Sequence, residues 1–223
     1  MSFLNSPFYR ILDFMSFIVI LNVLWFAASL TVVGLLPATF ALFILSKEMI
    51  INDDNGTVKP FFRAVITYFW RANALGIPML IVLFSFIYYI VTFATSPGEW
   101  TMFLFPLSVM AMFIYLIFLG HLVPWFAYAR CSLKIYVQWA FWFSFYKPWY
   151  SFILFVCMAV VFLLTLMFPM LIFLGSASIF VYIAMSFFIK KMDVLSAKYP
   201  NVLENVQKEK VYPNNFNGMS EKT

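Results

Sequence analysis

The sequence predicts an all-α fold, a polytopic bundle of membrane-spanning helices, and three observations carry that expectation. Of its 223 residues 65% are hydrophobic, 22% aromatic and only 10% charged, whereas soluble domains run near 45–50% apolar and about 25% charged. The apolar residues gather into long blocks, 14–45, 74–94, 102–129 and 149–189, and mean hydropathy is +0.95. All 14 lysines and arginines fall between or beyond those blocks. With about 20 apolar residues needed per crossing, the chain holds five full spans plus a short returning helix, and no room remains for a soluble enzyme domain.

The helices expected in order are 11–33, 37–51, 74–94, 102–128, 149–168 and 170–190, making residues 1–195 a membrane domain and 196–223 a charged tail. Block 14–45 is about 48 Å long if helical, too long for one upright crossing and too short for two. A hairpin resolves the mismatch: Gly34 ends the first helix, Leu35 and Leu36 turn, and Pro37 starts the return with Ala38 and Thr39. Glycine just past a helix end and proline at the next helix's first position is the expected asymmetry. A single kinked span remains the alternative. Block 149–189 makes about 60 Å of helix and must cross twice, turning at "LMFPM". The N-terminal stretch reads as an uncleaved anchor, because hydrophobicity continues beyond the signal-peptidase-like "WFAAS".

Charge orients the bundle. If the chain crosses as described, every basic residue lies on one side and Glu99 alone marks the other, so the termini are expected in the cytoplasm. Two cytoplasmic stretches read as amphipathic helices leading into spans. In 57–73, Phe61, Phe62, Val65, Ile66 and Phe69 share one face while Lys59, Arg63, Thr67 and Arg71 step by four along another; in 129–148 Arg130, Lys134 and Gln138 repeat the device. These five cations form the candidate cytoplasmic interface.

The chemistry on offer is sparse. No nucleophile elbow, phosphate loop or cofactor fingerprint is present, and no enzyme activity, cofactor or nucleic-acid partner is expected. Cys131 and Cys157 lie at different expected depths and are not paired. His121 lacks ligand-type neighbours for a metal site. Asn22, Asn73 and His121 are the candidate polar residues of the bundle, either lining a pathway or hydrogen-bonding between helices, and Thr39 belongs with them.

"NSPFYRILDF", "LNVLW", "GLLPATFAL" and "VKPFFRAVITYFWRAN" occur in an order that resembles the YesL-like family of small bacterial membrane proteins. Where the family has Gly-Pro-Ala-Thr, Leu35 and Leu36 separate Gly34 from Pro37 here. The resemblance implies association with carbohydrate uptake and supplies no catalytic residue. The functional expectation is therefore an accessory or regulatory subunit beside a carbohydrate ABC permease. The alternative is a small transporter or channel for a neutral solute.

Overall fold

The computed structural model describes residues 7–52, 58–95, 98–129 and 132–198, and these form eight helices with no strand among them. They are α1 (Pro7–Ser29), α2 (Val32–Asn52), α3 (Val58–Thr95), α4 (Thr101–Tyr128), α5 (Leu133–Phe145), α6 (Pro148–Met167), α7 (Leu171–Leu174) and α8 (Ser176–Lys198). Five of them, α1, α2, α3, α4 and α6, are long and apolar enough to cross a membrane. The protein is a multi-pass helical membrane protein. Arg130 and the tail from 199 onward lie outside the described residues.

The N-terminal hairpin forms, but not where glycine and proline suggest. Leu30 and Thr31 make the turn, and the Gly34 and Leu35 amides donate to the Thr31 carbonyl at 2.8 and 3.2 Å. Gly34 therefore lies inside the first turn of α2 and Pro37 sits within the helix. The physical need for Gly34 is closeness: a Cβ there would collide with the Ala28 carbonyl and the Thr31 hydroxyl. Pro37 lacks a donor for the carbonyl four residues earlier, a loss that membrane helices tolerate when neighbours pack around the break. The return is also not short. At 21 residues α2 reaches about 31 Å, a full crossing.

Helix α2 is the hub, packing on α1, α3, α4 and α8. Bilayer helices gain little hydrophobic drive from meeting one another, so close approach of small residues matters more. Ala38 and Ala41 of α2, and Ala64, Ala72 and Gly76 of α3, are buried, with Gly76 against the Leu36 side chain.

Helix α3 runs unbroken for 38 residues, about 57 Å, nearly twice the hydrocarbon thickness. Stretch 57–73 is thus no separate interfacial helix; from Val58 onward it is the first half of α3, which packs along α2. Its expected apolar face also divides. Phe61 is buried while Phe62 and Ile66 are exposed, because α3 turns Phe61, Ala64 and Ala72 inward. Tyr68 meets Phe126 of α4 edge-on at 5.6 Å.

Helix α5 folds back antiparallel on the end of α4. Ring pairs Phe126–Tyr136, Trp125–Trp139 and His121–Phe143 sit at 5.4, 5.9 and 5.6 Å, so α5 climbs as α4 is traced backward. The Tyr136 hydroxyl donates to the Ala129 carbonyl at 2.7 Å, which closes the end of α4. Lys147, in the left-handed region at φ 47°, then turns the chain into α6, with Pro148 in its first turn.

The last crossing differs from the expected 170–190. Chain 168–175 is a turn containing the four-residue α7, and α8 starts only at Ser176. Its apolar part ends at Ile189, before Lys190 and Lys191, and α8 is not among the five helices that qualify as spans. It nonetheless runs antiparallel to α6, with Lys191 beside Ser151 near the start of α6.

Candidate functional site

The polar residues of the bundle gather at two levels. Toward one end, Asn22 of α1 is fully buried. Its amide donates to the carbonyls of Ile172 and Phe173 at 2.7 and 3.0 Å, and its oxygen faces the Ser178 amide at 3.4 Å. Helix ends leave carbonyls and amides without intrahelical partners, and Asn22 meets those of α7 and α8 at once. Nearby in the hairpin, Trp25 donates to the Thr39 hydroxyl at 3.0 Å, and Thr39 donates to the Leu35 carbonyl at 2.8 Å. Pro37 and Ala38 are buried against the chain's own helices. Asn73 donates within α3 to the Phe69 carbonyl at 3.0 Å, and its oxygen is buried without a partner.

At the level where α5 meets α6, four helices converge on Lys191. This side chain is 1% exposed, the one charged residue buried among those described. Its ammonium reaches the Phe143 carbonyl at 2.6 Å, His121 Nε2 at 3.1 Å and Ser151 Oγ at 3.1 Å, and lies 4.7 Å from the centre of the Phe143 ring. The carbonyls around the cluster fix the proton positions. Ile117 O, 2.9 Å from His121 Nδ1, can only accept, so Nδ1 carries the hydrogen and Nε2 offers its lone pair. Ser151 donates to the Ser144 carbonyl at 3.2 Å, which leaves its oxygen as acceptor. Lys191 therefore donates three times, most closely to the Phe143 carbonyl.

The same contacts describe a helix cap. Phe143 and Ser144 belong to the last turn of α5, whose carbonyls have no partner within the helix. A cation from α8 and a hydroxyl from α6 take them, and a positive charge suits the negative end of a helix dipole. Ser151 also lies 3.3 Å from His121 Nε2, a serine–histidine–lysine composition that invites a catalytic reading. As arranged, the Ser151 hydrogen is directed to the Ser144 carbonyl and His121 Nε2 faces the Lys191 nitrogen.

Ser151 and Ser144 form part of the wall of a groove of about 770 Å³ between α3, α4, α5 and α6. The remaining walls are nearly all apolar, with Phe118, Phe141 and Phe152 among them.

The sequence-derived candidates thus separate. His121 lies in the Lys191 cluster, Asn22 and Thr39 lie in the other layer, and Asn73 bonds within its own helix. Lys59, Arg63 and Lys134 are exposed and Arg71 half-buried, with Lys134 on α5 and the other three on the first half of α3. Sequence reasoning missed Lys191 and Ser151. A signal existed: Val181, Ala184, Phe188 and Leu195 form a helical stripe that Lys191 interrupts, three residues after Phe188 and four before Leu195.

Residues 18–90 match a family described as "Protein of unknown function, DUF624". The matched segment holds most of α1, all of α2 and most of α3, including Asn22, the Pro37–Thr39 segment and Asn73; His121, Ser151 and Lys191 lie beyond it. No curated protein and no solved structure matches the chain.

Proposed function

We propose that this membrane protein is a non-catalytic accessory subunit that assembles with a carbohydrate uptake permease, its basic end in the cytoplasm. The carbohydrate link rests on the resemblance to YesL-like proteins. The cytoplasmic placement rests on the one-sided distribution of lysine and arginine. The observation that supports assembly over transport is the inward closure of the Lys191 cluster. Carriers keep ionisable groups facing a water-filled path, whereas Lys191 spends all three donors on α4, α5 and α6. The residues left open to a partner are Lys59, Phe62, Arg63, Ile66 and Trp70, on the outer face of the first half of α3.

Mild cross-linking and affinity purification of the tagged protein from its native membrane, followed by mass spectrometry, tests the proposal. Recovery of permease subunits, weakened by Arg63→Glu and Trp70→Ala, is the expected result. Recovery of the chain alone from cells growing on glycans would refute it.

A further inference from the structure

The groove beside Ser151 is built from aromatic side chains, and its volume of about 770 Å³ falls in the usual range of small-ligand sites. It runs from Phe86 and Phe113 on the spans to Val137 and Gln138 on α5. The charges around it have one sign. Val137, Gln138 and Phe141 follow Lys134 by three, four and seven residues, so this exposed lysine shares the groove face of α5. Lys147, also exposed, stands at the opposite end of α5, in the turn between the lining residues Phe145 and Pro148, about 20 Å along the helix from Lys134. No carboxylate lines the groove, and neither lysine has an ion-pair partner among the described residues. The wall itself is held in place by Lys191 and Ser151, which secure the end of α5.

We propose that this groove binds an anionic phospholipid, with an acyl chain along the aromatic walls and the phosphate beside Gln138, attracted by Lys134 one helical turn away. A zwitterionic lipid fits the same walls but brings its own ammonium to a site that already has a cation. A nearby basic side chain favours an anionic lipid by about fivefold, and that is the preference expected here.

The test is native mass spectrometry of the intact protein released from nanodiscs of mixed phosphatidylglycerol and phosphatidylcholine. The expected result is one retained phosphatidylglycerol, preferred about fivefold over phosphatidylcholine. That preference should vanish in Lys134→Gln and persist in Lys147→Gln, both changes being on exposed side chains that leave the fold intact. Val137→Trp, which fills the groove, should remove retention of either lipid. Equal retention of the two lipids, or unchanged preference in Lys134→Gln, would overturn the proposal. So would a photo-reactive side chain at position 141 that cross-links in native membranes to a polypeptide and not to lipid.

Discussion

Replacing Lys191 by methionine tests how the four helices are held. Methionine keeps most of the apolar stem between Phe143 and Phe188 but removes all three donors. The Phe143 carbonyl then loses its 2.6 Å partner in a buried setting, while His121 Nε2 gains a donor only if Ser151, 3.3 Å away, turns its hydrogen from the Ser144 carbonyl. A buried acceptor left unmet costs about 1–3 kcal/mol. Relief from burying a cation acts in the opposite direction, because desolvation of an ammonium is itself costly. With one acceptor abandoned and a second weakened, the expected net is a destabilisation of about 2 kcal/mol. Unfolding in mixed micelles of rising sodium dodecyl sulfate content, followed by tryptophan fluorescence, measures it; Trp125 lies 5.6 Å from Phe143 and reports the site. Lys191→Met and Ser151→Ala should be non-additive, with a coupling of about 1 kcal/mol, because the two groups touch. A variant as stable as the parent, or strict additivity, would refute the proposed lock.

Three further outcomes follow from the geometry. Asn22→Leu strands two carbonyls and an amide at the α7–α8 break and should cost about 2–4 kcal/mol in the same unfolding assay, with faster hydrogen exchange at the start of α8. Gly34→Ala should destabilise more than Gly76→Ala, since a Cβ at 34 meets the backbone of Ala28 while one at 76 meets the movable Leu36 side chain; paired unfolding curves decide it. Cysteines placed at Lys59 and Lys134 should react with an impermeant maleimide only in inverted vesicles, and one at Trp100 only in intact cells; the reverse pattern would invert the proposed orientation.

Much of the fold was legible because membrane solvent imposes a simple rule: apolar length counts crossings. The hairpin followed from such a length argument on block 14–45. Its turn did not, because Leu30 and Thr31 carry no glycine or proline, and the glycine that attracted attention serves a close approach to Ala28. Position 57–73 read as interfacial because periodicity reports which residues share a face and not what covers that face; contact between Tyr68 and Phe126 joins residues 58 positions apart. The Lys191 cluster was hidden for a similar reason. His121, Ser151 and Lys191 are separated by 30 and 40 positions and meet only through the α4–α5–α6–α8 arrangement. A double lysine at a span end looks like an interface anchor, and only the stripe through Val181, Phe188 and Leu195 shows that the second lysine turns inward.

The most direct test of the central claim, that the buried polar residues bind helices together and do not line a pathway, is solute flux into liposomes containing the purified protein. Uptake of neutral sugars is expected to be no faster than in empty liposomes, with no change in Asn22→Ala, Thr39→Ala or His121→Ala. Protein-dependent flux that those substitutions abolish would contradict it and make the chain a transporter.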